Sequence, residues 1–279
     1  MASKNATLSA PEKPAVFPAS QGLRVFLTGA SSGIGAALAR HYAGQGAVLG
    51  LAARRGTELQ ALAAALTARF GTVVHCYPLD VTDAAALAAA ANHFIEQVGV
   101  PDVVIANAGI SVGTLAEETE DLSAFKRVFE VNVMGVVNTL APFVRPLREA
   151  GRGRLVGIAS VAGVRGLPGA GAYSASKAAV VKLMESLRVE LRGTGIKAVT
   201  ISPGYIETPM TAVNDYPMPF ILPVGEAARR MANAIDAGCS HAIIPWQMAV
   251  AAKLMSWLPN WLYDRLAARA GRKPRGLEL

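Results

Sequence analysis

Val25-Phe26-Leu27-Thr28-Gly29-Ala30-Ser31-Ser32-Gly33-Ile34-Gly35 is the stretch that sets the architecture of this chain. Val25–Leu27 is a short apolar run of strand type, the glycine-rich segment breaks it, and Ala36–Ala43 follows with a helical pattern. Strand, tight turn and helix in that order let the free N–H groups of a helix N-terminus receive phosphate oxygens. Gly29 permits the turn, Gly33 lets backbone approach a pyrophosphate, and Gly35 allows the helix to lie close on the strand. With Ser31, Ser32 and Ile34 between them, these residues are candidate dinucleotide-binding positions.

Working outward, the next apolar run, Ala47–Ala53, ends without the acidic residue that would grip an unmodified ribose and runs into Arg54-Arg55. A carboxylate there would repel a 2′-phosphate, whereas a guanidinium binds it bidentately. Arg54 is therefore a candidate phosphate ligand, and NADP(H) is favoured over NAD(H). The plain alternative is that two arginines open a solvated helix.

Helical patterns at Thr57–Ala68 and Ala84–Val98 alternate with apolar runs at Val73–Tyr77 and Val103–Ala106. Such alternation predicts a parallel sheet covered by helices on both faces. Further runs at Leu155–Ala159, Ala198–Ser202 and His241–Pro245, with a helix over Gly225–Ala237, would complete seven strands. Asp80 and Val81 follow the third strand and are candidate cofactor contacts; Asp80 can accept from an adenine amino group, or simply form a turn or cap a helix. Asn107-Ala108-Gly109 follows the fourth strand, where ligands approach an open sheet, and its small residues allow an adenosine to pack close.

Glu118–Ala150 reads as one long helical stretch, with Phe125, Val128, Phe129, Val131, Val133, Met134, Val136 and Val137 marking an almost wholly buried middle, and Pro142 and Pro146 bending or ending it. Asn132 is a polar residue in that apolar run. It is either a buried amide satisfied by backbone or a group that fixes a backbone kink or a water near Lys177.

Tyr173 and Lys177 stand four apart, one turn of a helix. A cation beside a phenol stabilises the phenolate and lowers a pKa of about 10, so that Tyr173 can move protons near neutrality. Ser160, after the run Leu155–Ala159, can donate to the substrate oxygen that Tyr173 protonates. Taken alone, Tyr-x-x-x-Lys is more often an aromatic ring packed on a lysine stem.

The joint order of these motifs resembles the short-chain dehydrogenase/reductase family. The similarity lies in Thr28–Gly35, Asn107–Gly109, Asn132, Ser160 thirteen residues before Tyr173, Tyr173-x-x-x-Lys177, and Pro203-Gly204 with Thr208, together covering roughly residues 23 to 245. The resemblance implies a doubly wound α/β Rossmann fold and an oxidoreductase that moves a hydride between NADP(H) and a carbonyl or alcohol. It implies that Tyr173 transfers the proton, Ser160 orients the substrate oxygen, Lys177 lowers the Tyr173 pKa and holds the nicotinamide ribose, and Asn132 supports a proton-relay water. It also implies that Pro203, Gly204, Ile206 and Thr208 lie against the nicotinamide carboxamide; Met210 cannot donate a hydrogen bond, so Thr208 is the one hydroxyl assigned there. A homodimer or homotetramer through the helices at 125–137 and 178–191 is implied as well. The alternative class is a cofactor-binding or scaffold protein that keeps the fold without turnover.

Composition sets the remaining bounds. The 279 residues, 52% hydrophobic and 6% aromatic, suit one large helix-covered sheet. A net charge of +7 comes from scattered pairs such as Lys126-Arg127 and Arg229-Arg230, with no basic stripe that would read nucleic acid. Cys76 and Cys239, each within or beside an apolar run, read as buried free thiols in a reducing cytosol; four histidines without ligand spacing suggest no metal site.

Residues 1–22 read as a mobile leader without a secretory apolar core, residues 23–245 as the catalytic domain, and residues 246–279 as an apolar and basic extension. Thr211–Val224, rich in proline and apolar residues, reads as a lid over an apolar substrate or over the nicotinamide. The extension is too interrupted to span a membrane, and it suits peripheral membrane contact, a subunit interface or packing on its own domain. Trp257 and Trp261 would share one helical face provided Pro259 does not break the helix.

Overall fold

Apolar runs of four to eight residues separated by helical patterns leave each strand buried on both faces, and the chain satisfies this with one sheet. In a computed structural model, residues 22–269 and 271–276 are described; the expected leader lies almost wholly outside them. The seven strands are β1 (Arg24–Thr28), β2 (Val48–Ala53), β3 (Val74–Pro78), β4 (Val103–Ala106), β5 (Gly153–Ile158), β6 (Ile196–Pro203) and β7 (His241–Ile244). They pair in the order β3-β2-β1-β4-β5-β6-β7, every pair parallel. This is the doubly wound α/β fold expected, with its strand order reversing between β1 and β4.

Ten helices connect and cover the strands among the described residues: α1 (Gly33–Gly44), α2 (Gly56–Phe70), α3 (Ala84–Val98), α4 (Leu122–Phe129), α5 (Gly135–Ala150), α6 (Gly171–Glu190), α7 (Pro209–Ala212), α8 (Val224–Asp236), α9 (Trp246–Trp257) and α10 (Asn260–Ala267). Strand alternation sends Val25 and Leu27 of β1 into one core with α1, α2 and α8. Phe26 enters the other, with Phe94 of α3 and Phe143 of α5. Those rings lie 5.6 and 4.9 Å from Phe26 between centroids. Gly50 of β2 makes room for them, since a Cβ there would come within 2.7 Å of both Phe26 and Phe94.

The long helical stretch is present but differs from expectation in two respects. Phe129 and Met134 are exposed, so its middle is buried on one side only. Pro142 and Pro146 sit half-buried inside α5, which runs on to Ala150, so neither of them ends the helix. Between α4 and α5 the chain makes a π-helical turn, Glu130–Met134, centred on Asn132. Neither cysteine is fully buried as expected: Cys76 is half-buried, and Cys239 is exposed because it follows the turn after α8 and precedes β7 at the sheet edge.

The extension packs partly on its own domain. Met248 and Ala252 of α9 are buried with Val161, and Tyr263 of α10 donates to the Gly166 carbonyl at 2.6 Å beneath the Arg165 guanidinium. Arg165 in turn donates to the Leu258 carbonyl at 3.1 Å and to Asn260 Oδ1 at 3.1 Å. Pro259 does break the helix: Leu258 is extended, and Trp257 and Trp261 stand on different helices. Beyond α10, residues 271–276 form a strap across the loops that follow β4 and β6. The buried Lys273 donates to the Met210 carbonyl at 2.8 Å, the Pro274 carbonyl accepts from Gly113 N at 2.9 Å, and Arg275 pairs with Asp121 and Glu118 at 2.9 and 3.2 Å.

Candidate active site

Loops leaving the carboxyl ends of β1 through β6 enclose a cavity of about 400 Å³ at the point where the strand order reverses. Every expected site residue lines this cavity except Gly35 and Asn132. Both lie behind the wall. Gly35 is buried in α1, where a Cβ would collide with the Gly29 carbonyl, so its part is the close helix-on-strand contact read from the sequence.

At the glycine-rich turn Gly29 has φ +69° and Gly33 φ +52°, left-handed backbone that disfavours any side chain. A Cβ on Gly29 would also come within 2.7 Å of Ala108. Ser32 stands at the N-cap of α1 without a side-chain cap, and no acidic residue occupies the first turn. The first-turn N–H groups at the cavity therefore remain for an anion. Asn107 holds this turn in place: its Nδ2 donates to the Thr28 and Gly29 carbonyls at 3.1 and 3.2 Å, and its backbone N–H donates to Thr28 Oγ1 at 3.3 Å. The sequence marked Asn107 for smallness near an adenosine; the structure gives its amide the work of stapling β1 to β4.

Arg54 and Arg55 both line the cavity and both are exposed. Arg55 reaches the turn, with Nη2 donating to Ser31 Oγ at 2.9 Å and Ser32 Oγ at 2.6 Å. The sequence assigned the phosphate role to Arg54 and passed over Arg55. The paired serines opposite a basic doublet were the signal, but nothing in the sequence says which arginine turns inward. Asp80 lines the cavity too, yet Oδ1 accepts from Thr82 N and Oγ1, both at 3.0 Å, and Oδ2 pairs with Arg127 at 2.7 Å. Burial raises the Asp80 pKa, but those hydrogen bonds and the guanidinium outweigh it and hold the carboxyl below its ordinary value. The turn-forming alternative thus describes Asp80 as placed here, while Asp83 is the cap of α3.

At the reacting end, β5 delivers Ser160 and the first turns of α6 deliver Tyr173 and Lys177. Ser160 Oγ accepts from Ala162 N at 3.1 Å and is hydrogen-bonded to the Tyr173 hydroxyl. Lys177 is buried, its Nζ donating to the Ile158 carbonyl at 2.9 Å and lying 5.8 Å from the Tyr173 ring centroid. Burial depresses Lys177 from 10.5 to about 8. It pushes the Tyr173 phenol upward, opposed only by the Ser160 hydrogen bond. The expectation that Lys177 lowers the Tyr173 pKa is therefore not met in this arrangement, because the ammonium is itself desolvated and directed at a strand carbonyl.

Asn132 is fully buried in the π-helical turn. Its Oδ1 accepts from Ile110 N at 2.8 Å, and its Nδ2 donates to the Ile110 carbonyl and Ser176 Oγ, both at 3.0 Å. A Cβ on Gly109 would lie 3.3 Å from both Asn132 Oδ1 and Lys177 Nζ, so Gly109 keeps open a space bounded by an amide and an ammonium. Pro203, Gly204, Ile206 and Thr208 line the same end. Thr211 was missed: its Oγ1 accepts from Thr208 N at 3.1 Å and donates to the Ile206 carbonyl at 2.6 Å, a second hydroxyl at the cavity wall.

Glycine turn, unfilled helix N-terminus and flanking guanidinium groups fit a pyrophosphate-bearing dinucleotide. Comparison with known proteins agrees with that fit. Residues 24–217 match the short chain dehydrogenase family. An uncharacterized oxidoreductase of Myxococcus xanthus (strain DK1622) is 40% identical over 243 residues, covering 87% of this chain and 95% of the relative. A short-chain dehydrogenase from Sphingobium yanoikuyae, solved in complex with NADPH, superposes with a TM-score of 0.73 at 29% identity, covering 85% of this chain and 96% of the other. An alcohol dehydrogenase from the archaeon Thermococcus sibiricus, complexed with 5-hydroxy-NADP, gives 0.73 at 28% identity, covering 80% and 95%.

Proposed function

The chain belongs to the short-chain dehydrogenase/reductase family and is an oxidoreductase; from that premise we propose that it interconverts a carbonyl and an alcohol with NADP(H), using Tyr173 as the proton-transferring group. The nicotinamide supplies or takes the hydride when bound. Tyr173 gives its phenolic proton to the carbonyl oxygen in reduction and recovers it in oxidation, while Ser160 donates to the same oxygen. With the cofactor bound, Lys177 would hold ribose hydroxyls and, drawn away from the Ile158 carbonyl, would set its charge in favour of the phenolate. Asn132 fixes the backbone of Gly109 and Ile110 beside Lys177 and supports the water that returns the proton.

The observation that carries this reading is the meeting of Tyr173, Ser160 and Lys177 at one end of the cavity whose other end is the glycine turn. Arg54 and Arg55 favour NADP(H) over NAD(H), Arg55 from the serines of the turn and Arg54 from the end of β2. Ile110 and Met210 at the cavity favour an apolar carbonyl substrate. Residues Leu122, Phe129, Met134 and Val189, apolar and exposed on α4 to α6, favour a homodimer or homotetramer. The unpaired thiols of Cys76 and Cys239 suit a reducing cytosol. The test is a panel of aldehydes, ketones, 3-oxoacyl thioesters, sugars and sterols with purified protein, following NADPH and NADH absorbance in parallel. Turnover with NADPH that Tyr173→Phe removes supports the proposal; turnover that survives Tyr173→Phe, or none with any carbonyl, overturns it.

A further inference from the structure

Helix α9 carries apolar residues on opposite sides, interrupted only by Gln247, Lys253 and Ser256, a pattern closer to a helix covered on both sides than to one lying on a domain surface. Only one side is covered. Met248 and Ala252 are buried against Val161, and Met248 also meets Gly204 of the site. On the opposite face Trp246, Val250, Leu254 and Trp257 recur at spacings of four, four and three, and all are exposed. After the bend at Pro259, α10 adds Trp261 and Leu266, also exposed. The chain's three tryptophans are thus all here, with 66%, 69% and 70% of their surface open.

Charge distinguishes among the surfaces that could cover this face. Between residues 246 and 269 the charged side chains are Lys253, Arg265 and Arg269 against the single acid Asp264, and all four are exposed. Lys253 Nζ lies 4.9 Å over the Trp257 ring, which sets an ammonium at the rim of the apolar stripe. A second copy joined about a two-fold axis would bring this basic rim against itself. An anionic lipid surface answers both features, taking indole rings at headgroup level and pairing cations with phosphates. No helix among the described residues is long and apolar enough to cross a membrane, so the helices would lie along it.

We propose that α9 and α10 dock the protein peripherally on an anionic lipid surface, with Trp246, Trp257 and Trp261 seated among the headgroups. Because the inner face of α9 packs on Val161 and Gly204, docking sets the reacting end of the cavity roughly one helix diameter, about 10 Å, from the lipid.

The tryptophans are their own probe. Full-length protein is mixed with vesicles of phosphatidylcholine alone or with phosphatidylserine added, at low and high salt, and read by tryptophan emission, acrylamide quenching and cosedimentation. The expected result is a blue shift, protection from acrylamide and pelleting with the anionic vesicles, all weakening as salt rises. The double variant Trp257→Ser, Trp261→Ser, checked for an unchanged fold by circular dichroism and unchanged NADPH binding, should bind roughly tenfold or more weakly. Absence of pelleting at low salt overturns the proposal. So does a mass in sedimentation velocity that halves in the double variant, since the face would then belong to a second copy.

Discussion

Tyr173 and Lys177 show at the residue scale what one fold demands of two neighbouring side chains. Tyr173→Phe removes only the proton-bearing oxygen, so kcat should fall by about 10²–10⁴-fold while NADPH binding, followed by its fluorescence, stays near wild type. Lys177 carries a cost of burial as well as a function. With its pKa lowered from 10.5 to about 8, the unfolded chain binds more protons than the folded one between those values. Stability from this group therefore rises with pH across that window, and the penalty, on the order of 3 kcal/mol, is complete below pH 8. Lys177→Met also leaves the Ile158 carbonyl without this donor, a cost that does not vary with pH. Thermal unfolding should accordingly show the variant at its best relative to wild type below pH 8, with that relative advantage shrinking towards pH 10; a pH-independent difference would contradict the burial account. At the phosphate end, Arg55→Ala should raise the KM for NADPH by roughly tenfold or more and that for NADH much less, and Arg54→Asp should move preference towards NADH. These positions were legible because each has a chemistry of its own. What the sequence could not say is which side chain turns where: Arg55 rather than Arg54 meets the serines, and Asp80 is engaged by Arg127, forty-seven residues away.

Elements were read best where period and punctuation agreed. Ala84–Val98 and Val103–Ala106 were placed at their observed ends, where the structure shows the Asp83 side chain capping the first. The π-helical turn at Glu130–Met134 had one sign in the apolar pattern, the polar Asn132 read as a group that could fix a backbone kink, while its bonds to the Ile110 backbone across the fold had none. Asn132→Ala would leave the Ile110 N–H and carbonyl without these partners at the half-buried cavity wall, at a cost of up to about 1–3 kcal/mol for each group. Chemical denaturation should show that loss, with activity falling further than stability explains. The strap was equally hidden, since Lys273 and Arg275 look like part of a solvated basic run until their partners Met210 and Asp121 are brought beside them. Truncation after Arg269 removes those ties from the loops on the substrate side. Limited proteolysis within residues 209–222 should then accelerate and the KM for carbonyl substrate should rise, while NADPH affinity changes little. An unchanged cleavage pattern would mean that the loops hold their positions without the strap.

For the whole molecule, the buried core followed from composition and alternation, whereas the faces left open did not, because an apolar residue on a helix reads the same whether its own domain or another surface covers it. The middle of the long helical stretch was expected to be almost wholly buried. Instead Leu122 and Phe129, seven residues apart on α4, point outward together with Met134 of the π-helical turn, and Val189 does so on α6. This face lies on helices distinct from those that carry the tryptophans, so the two can be tested separately. Assembly through α4 to α6 predicts that sedimentation velocity at micromolar concentration gives a dimer or tetramer. Phe129→Glu with Met134→Glu would place a charge on this face in every copy, opposing its burial and setting like charges against each other across the axis. That variant should run as a monomer with the same circular dichroism and the same vesicle binding as the wild type, while Trp257→Ser with Trp261→Ser should keep the oligomer and lose the vesicles. A wild type that is already monomeric would remove the α4–α6 interface, and an oligomer lost only in the tryptophan variant would transfer it to α9 and α10.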